Sequence, residues 1–228
     1  MTKPNVLAIV PIRGQDREFA SGMPLLASKP LMGYTLQAAR KSRTINKIVV
    51  STDSPTVQRQ AESFGAEVPF LRPADLSGRD VSLDQVLQHC VRWLEEHQGY
   101  VADVVVLLEI THPIREDGLI DKVVQTLLEN DLDSVFVAHE ERHSFWKPDF
   151  QGALTRVGEE EYVPRHLRKP IYREMSGLAC ATRAEFVRAG SRLGLRVGLV
   201  PIRGLGAVAD THDENGLWLA EKILETLK

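Results

Sequence analysis

The alternation of apolar and polar stretches along the chain predicts strands separated by helices. The apolar run Val6–Ile12 is continuous and rich in β-branched residues, and 102–108 is the most apolar stretch of the chain, whereas a half-exposed strand alternates apolar with polar positions. They are therefore typical of strands buried on both faces of a parallel sheet. Further strands are expected at Lys47–Thr52, 67–71, 134–138, 178–182 and 196–202.

Helical spacing of apolar residues marks the segments between these strands. Ser54 followed by Pro55 is a typical helix start, and Gly65 marks the end of the same helix. Other helices are expected at 31–39, 83–97, about 117–129 and 213–227. Strands that alternate with helices of this length predict a three-layer α/β/α sandwich with a mostly parallel sheet.

One segment, from about 139 to 175, breaks this alternation. It carries three prolines and two clusters of charge, and it has no clear core of its own. Such excursions are often active-site covers or subunit contacts, so we expect a protruding arm inserted in a single domain spanning 1–228. Phe145, Trp146, Phe150 and Tyr162 within it predict an apolar surface that a homodimer would cover.

Composition narrows the class of protein. The 228 residues are 43% hydrophobic and 26% charged, which is close to the average for soluble globular proteins. A formal net charge of −3 argues against a nucleic-acid partner. Cys90 and Cys180 show no metal-binding spacing, and no apolar stretch is long enough to span a membrane. A cytoplasmic protein without a membrane partner is expected.

The loop after the first strand holds the first candidate chemistry. Arg13, Gly14, Arg17 and Gly22 combine cationic side chains with backbone that an anion can approach, which suits a polyphosphate. An ordinary solvated loop is the alternative. The loop lacks both the Walker pattern and the GxGxxG pattern, so it does not favour a P-loop NTPase or a dinucleotide-binding dehydrogenase.

Seven sequence blocks cover almost the full length of the chain: AIVPIRG, KPLMGYTLQAARKS, INKIVVSTDS, AESFGAEVPFLRPADLSG, DVVVLLEITHPIR, DSVFVAHEERHSFWK and VADTHDENGLWLAEKIL. In this order and spacing they resemble the CMP-sugar synthetases, most of all the acylneuraminate cytidylyltransferases and more distantly CMP-KDO synthetase. The resemblance implies a Rossmann-like fold of the nucleotide-diphospho-sugar transferase type. It also implies that CMP from CTP is joined to the anomeric hydroxyl of a 2-keto sugar acid, with magnesium as cofactor.

The resemblance assigns nucleotide binding to Arg13, Gly14, Arg17, Gly22 and Ser82, with Arg13 also catalytic. The family's loop lysine has no counterpart here, and Arg17 is the replacement for its charge. Ser82 stands where the family presents small polar residues to cytosine. It also has the position of a helix N-cap, and the two roles can coexist.

Sugar binding is assigned by the same resemblance to residues after the central strand and in the arm. Glu109 replaces a family glutamine with an acceptor-only carboxylate, while Thr111 and Arg115 match the motif. Arg165 and Arg173 resemble the arm residues that receive the sugar carboxylate. The alternatives are a structural ion pair for Arg115 and an ordinary charged flap for the arm residues.

Asp210 falls on the first metal-binding aspartate of the family, and it is the second candidate catalytic residue. His212 replaces the second aspartate, and Asp213 lies one residue further on. Magnesium prefers oxygen ligands, so manganese, which accepts imidazole more readily, is the alternative cofactor. Asp213 is also a candidate helix N-cap.

Three classes of function remain open at this point. The first is a cytidylyltransferase acting on a sialic-acid-like substrate. The second is a catalytically altered or inactive relative that binds a nucleotide or a partner enzyme, because the departures from the family fall at chemical positions. The third is a nucleotidyltransferase acting on a phosphorylated sugar or polyol, against which the sugar-acid motifs weigh.

Overall fold

The computed structural model describes residues 3–14, 23–158 and 163–227, which form a mixed sheet with helices on both faces. The strands are β1 (Val6–Ile12), β2 (Leu25–Leu26), β3 (Lys29–Pro30), β4 (Lys47–Thr52), β5 (Val104–Leu107), β6 (Ser134–Glu141), β7 (Phe145–Pro148), β8 (Leu154–Val157), β9 (Ile171–Glu174), β10 (Cys180–Arg183) and β11 (Val197–Ile202). The helices are α1 (Leu31–Lys41), α2 (Pro55–Ser63), α3 (Leu83–Gln98), α4 (Leu119–Glu129), α5 (Ala184–Arg188) and α6 (Glu214–Thr226).

The main sheet has seven strands in the order β11-β6-β10-β5-β1-β4, with β9 paired to β6 beside β10. β1 is parallel to both of its neighbours, with Ile9 opposite Val49 and Leu7 opposite Val105. β10 runs antiparallel to β5 and β6, and β11 runs parallel to β6. The carboxyl ends of β1, β4, β5, β6 and β11 therefore lie at one edge of the sheet. The predicted fold class, a three-layer sandwich with a mostly parallel sheet, is confirmed.

Two apolar layers explain why the first strand reads as a continuous apolar run. Val6, Ala8 and Val10 face the layer made with α1, α2, α4 and α6. Leu7 and Ile9 face the opposite layer, made with α3 and α5. Because successive side chains of a strand point to opposite faces, a strand between two helical layers needs apolar residues at every position.

Polar side chains fix the starts of three helices near the strand ends. Ser54 accepts a hydrogen bond from the Val57 backbone N–H at the start of α2. Ser82 and Asp213 play the same part at α3 and α6. These caps satisfy backbone N–H groups that have no partner within the helix, and they fix the points at which the chain leaves the sheet edge.

The expected strand at 67–71 is replaced by two isolated parallel bridges, between Val49 and Glu67 and between Thr52 and Leu71. The physical reason is Pro69, which lies between them and has no backbone N–H to donate. The helix α5 was not predicted at all, since its five residues are too few to show a helical period.

The segment expected to form an arm contains a two-stranded antiparallel hairpin, β7 with β8, and the strand β9. Phe145, Trp146 and Phe150 are exposed on or beside this hairpin. Tyr162 lies outside the described residues. Among the helices of the described residues, none combines the length and apolar character needed to cross a bilayer.

Candidate functional site

A cleft opens at the edge of the sheet where β1 and β5 end. Its polar lining comes from separate parts of the chain, namely Arg13, Arg72, Gly78, Glu109, Thr111 and His212. Ligands of open α/β sheets bind outside the carboxyl ends of the strands, so this cleft is where a substrate is expected. Of the residues assigned from the sequence, Arg13, Glu109 and Thr111 lie in its wall.

Arg13 follows β1 and reaches across the cleft toward the loop that precedes α3. Its Nη1 atom lies 3.5 Å from the carbonyl oxygens of Gly78 and Arg79. Both contacts are long for N–H···O bonds. An anionic ligand in the cleft would meet this cation directly.

Gly14 holds the exit of β1 close to the exit of β4. Its backbone N–H donates to Asp53 Oδ1 at 2.8 Å. A Cβ at Gly14 would lie 2.2 Å from the Cβ of Ser54, which is closer than atoms can pack. A glycine is therefore required here by close approach. The other two loop candidates, Arg17 and Gly22, lie outside the described residues.

Arg72 lines the cleft and was missed by the sequence reasoning. It is only 4% exposed, and its guanidinium donates to the carbonyl oxygens of Ser51 at 3.3 Å and Ile12 at 3.4 Å. Its Nη2 atom is also 3.8 Å from Asp53 Oδ1. Arg72 thus ties the ends of β1 and β4 together behind the cleft. The available signal was an arginine inside an otherwise apolar stretch, which needs partners when buried.

Ser82 is placed as the N-cap of α3 in a complete capping box with Gln85. Its Oγ accepts from the Gln85 backbone N–H at 3.3 Å and lies 3.2 Å from Gln85 Oε1, to which its hydroxyl donates. The Ser82 backbone N–H also donates to Oε1, at 3.1 Å. Both functions of the hydroxyl are therefore used inside the box, and the cleft wall is formed instead by its neighbours Val81 and Leu83.

Glu109 lies two residues after the end of β5 and lines the cleft. Its backbone N–H donates to the Gly177 carbonyl at 2.9 Å, so its position on the sheet edge is fixed. Burial raises the pKa of its carboxyl, and the positive charges of His212, Arg192 and Arg115 act in the opposite direction. The cleft thus contains a half-buried carboxylate as well as the candidate phosphate-binding arginine, Arg13.

Arg115 lies behind the cleft wall, where it is bound mainly by backbone carbonyls. It donates to Leu178 O at 2.7 Å, Gly177 O at 2.8 Å, Glu109 O at 2.7 Å and Thr35 Oγ1 at 2.9 Å. Burial lowers its pKa to about 9, a value at which the guanidinium stays charged at neutral pH. Its partners differ from both sequence alternatives, a sugar contact and an ion pair, since three of the four are main-chain oxygens.

Thr111 connects the cleft wall to the loop that precedes α6. Its carbonyl oxygen accepts from the backbone N–H of Thr211 at 2.8 Å and from the Thr211 hydroxyl at 3.1 Å. The next residue, His112, is buried in the space left by Gly177, where a Cβ would lie 2.3 Å from the ring. Burial lowers the pKa of His112 to about 4, so this imidazole is neutral at neutral pH.

Asp210 and His212 form a close pair at the mouth of the cleft. Asp210 Oδ1 accepts from the His212 backbone N–H at 3.2 Å and also contacts His212 Nδ1. These bonds lower the pKa of Asp210, so it is ionised at neutral pH. Asp213 is occupied differently, because its Oδ1 caps α6 by accepting from the Gly216 N–H at 2.7 Å.

The donors near Asp210 limit the kind of metal ion that fits. Among the residues that the structure describes, no three histidine, cysteine or acidic side chains lie close enough to hold a metal together. Magnesium usually keeps several waters and uses one or two carboxylates plus substrate phosphates. Asp210, with His212 beside it, fits an ion bound in that way and does not fit a closed protein cage.

The two arm arginines do not line the described cleft. Arg165 is exposed in a short turn. Arg173, on β9, has its Nε 3.5 Å from Glu141 Oε1, and its charge also acts on the buried His112. Both arginines are exposed on the surface of this chain.

A comparison with protein families finds a match to a model described as cytidylyltransferase over residues 22–189, well over half of the chain. The chain is 36% identical over 123 residues to the CMP-N,N'-diacetyllegionaminic acid synthase of Legionella pneumophila, covering 53% of this chain and 52% of that protein. It is 27% identical over 135 residues to a pseudaminic acid cytidylyltransferase of Campylobacter jejuni, covering 59% and 58%. The chain thus spans little more than half the length of these relatives.

Solved structures share the architecture at low sequence identity. A CMP:2-keto-3-deoxy-manno-octonic acid synthetase complexed with CTP superposes with a TM-score of 0.70 at 14% identity, covering 98% of this chain and 100% of that one. A 4-diphosphocytidyl-2C-methyl-D-erythritol synthase from Anaerococcus prevotii gives a TM-score of 0.69 at 12% identity, with the same coverage. At these identities the likeness concerns the fold alone.

Proposed function

The chain belongs to the cytidylyltransferase family, and on that premise we propose that it transfers CMP from CTP to the anomeric hydroxyl of a sialic-acid-like 2-keto sugar acid. The observation that carries the proposal is the meeting of Arg13 and Glu109 in one cleft at the carboxyl ends of β1 and β5. The names of the two curated relatives, both of which concern nonulosonic acids, support this substrate class.

The reaction needs positioning and charge compensation more than a protein nucleophile. The anomeric oxygen attacks the α-phosphorus, the bond to the β-phosphate oxygen breaks, and pyrophosphate leaves with the electron pair while the hydroxyl proton passes to solvent. Arg13 would bind the triphosphate and stabilise the charge that develops on the leaving group. Gly14 keeps the backbone close at this point.

A divalent cation, magnesium or alternatively manganese, would supply further charge compensation for the phosphates. Asp210 would hold it, with His212 beside the carboxylate. Asp213 Oδ1 caps α6, so Asp213 stays a candidate ligand through its second carboxylate oxygen alone. Arg17 and Gly22 stay candidates for the nucleotide loop.

On the sugar side we propose direct contacts from Glu109 and Thr111. Arg115 would act through the backbone that carries Glu109, as a positioning residue. Arg173, an exposed cation on β9, stays a candidate for the sugar carboxylate. Arg165 could serve a site only if the arm of one protomer reaches its partner.

We also propose a homodimer in which the hairpin β7–β8 packs on a second copy. Trp146 is 52% exposed and Phe150 is 95% exposed, which is unusual for side chains of this size on a monomer. A dimer interface would remove this apolar surface from water.

The proposed activity is tested by measuring pyrophosphate release with each of the four common ribonucleoside triphosphates against a panel of 2-keto sugar acids. Release that requires both CTP and a nonulosonic acid is the expected result. His212 stands where the family has its second metal-binding aspartate. This difference favours one alternative function, that of a relative that binds nucleotide without turnover. Calorimetric binding of CTP with no release for any sugar acid and either metal ion would establish that function instead.

A further inference from the structure

The carboxylate of Glu109 has no hydrogen bond and no ion pair within the described part of the chain. This is unusual for a half-buried carboxylate, because removing such a group from water without a partner costs free energy. The flanking residues Leu108 and Ile110 are buried and apolar. Ile110 lines the cleft together with Glu109, so Glu109 is the charged group that this part of the chain presents to it.

The backbone of Glu109 is held too firmly for the side chain to withdraw. Its N–H is bonded to Gly177 O, and its carbonyl accepts from Arg115 Nη2 at 2.7 Å and from Thr35 Oγ1 at 3.2 Å. Three bonds to three separate segments fix both peptide groups. The carboxylate is therefore directed into the cleft by the fold.

The positive groups around Glu109 already have other partners. Arg192 lies 3.7 Å from Asp84 and 3.9 Å from Glu174, so two carboxylates share its charge. Arg115 donates its hydrogen bonds to backbone carbonyl oxygens and to the Thr35 hydroxyl. His212 is paired with Asp210. The charge of Glu109 is therefore left for a ligand to balance.

We infer that Glu109 binds a positively charged hydrogen-bond donor of the sugar acid, an ammonium group, and so selects amino-substituted substrates over their N-acylated forms. This inference rests on the proposed function, since it assumes that the cleft holds a sugar acid. An alkyl ammonium is charged at neutral pH and donates to a carboxylate in a short, charge-assisted bond. Acylation removes the charge, adds bulk and turns the group into a neutral amide.

The test compares matched pairs of nonulosonic acids that differ at one carbon, with a primary ammonium in one member and an acetamide in the other. The position of the substituent is varied along the ring and the side chain. The dissociation constant of each is measured by calorimetry with the full chain, without CTP, so that the result does not depend on turnover. For at least one pair the ammonium form is expected to bind about 10- to 100-fold more tightly, the range of a hydrogen bond to a charged group.

The variant Glu109→Gln keeps the shape and removes the charge, and it is expected to lose this preference. The ratio of the two dissociation constants is the readout, so a general loss of affinity cancels, and a thermal melt shows that the variant is folded. Glu129→Gln, at an exposed position of α4, is the matched control and is expected to keep the wild-type ratio.

Three results would overturn the inference. The first is equal affinity for both members of every pair, and the second is a preference for the ammonium form that survives in Glu109→Gln. The third is a Glu109→Gln variant that binds manganese more weakly than the wild type when no sugar acid or nucleotide is present. The last would make Glu109 a metal ligand. Preferential binding without pyrophosphate release would reject the proposed transferase activity while leaving this assignment of Glu109 intact.

Discussion

Replacing Arg115 by lysine separates a structural role from a substrate-binding one. The wild-type guanidinium makes four hydrogen bonds, to Leu178 O, Gly177 O, Glu109 O and Thr35 Oγ1. A lysine ammonium on a different stem can restore about one or two of them. The remaining two or three acceptors lose a charged donor in a buried place, at about 1.5 to 3 kcal/mol each, so we expect a loss of at least about 3 kcal/mol in the free energy of unfolding.

Urea unfolding followed by circular dichroism measures this loss, provided that the slope with denaturant matches the wild type. Arg165→Lys is the matched control, because Arg165 is exposed and its replacement is expected to cost less than about 0.5 kcal/mol. A loss below about 1 kcal/mol for Arg115→Lys, together with a large rise in the KM of the sugar acid, would refute the structural reasoning and support direct sugar binding.

Three further predictions follow from the cleft and the hairpin. Arg13→Ala is expected to weaken CTP binding by about 1.5 to 3 kcal/mol in calorimetry, and an unchanged dissociation constant would remove Arg13 from the nucleotide site. Pyrophosphate release is expected to be faster with manganese than with magnesium, and His212→Asp is expected to raise the rate that magnesium supports. Asp210→Ala is expected to abolish turnover with both ions, and an active Asp210→Ala would exclude Asp210 as a ligand. Light scattering at micromolar concentration is expected to give the mass of a dimer, and Trp146→Glu with Phe150→Glu to give a monomer.

Much of the fold could be predicted because its signals are local. The run Val6–Ile12 predicts a strand between two helical layers, and Ser54 with Pro55 predicts a helix start. The structure has both at the predicted residues. The prediction at 67–71 was wrong because the apolar pattern outweighed Pro69, which prevents a continuous ladder.

The candidate site was less accessible from the sequence because its contacts are distant along the chain. Arg115 was recognisable as part of a motif, yet its partner Thr35 is 80 positions away and Leu178 is 63 positions away. Arg72 carries no local signal for the ends of β1 and β4 that it joins. Spacing identifies which residue types are available, whereas their partners depend on how the sheet is ordered.

The place of β10 in the sheet has a consequence for how the chain is made. This strand, Cys180–Arg183, lies between β5 and β6, although both of them precede it in the sequence and the hairpin segment comes in between. A nascent chain that has emerged only as far as the hairpin has the three-stranded sheet β4-β1-β5 and a strand β6 whose partners have yet to be made. The open edge of β5 and the unpaired β6 promote aggregation. The sheet can close only when residue 183 has left the ribosome. Synthesis that stalls within the hairpin segment therefore leaves these edges unpaired, whereas a stall after β10 leaves a chain that can already join β5 to β6 through β10.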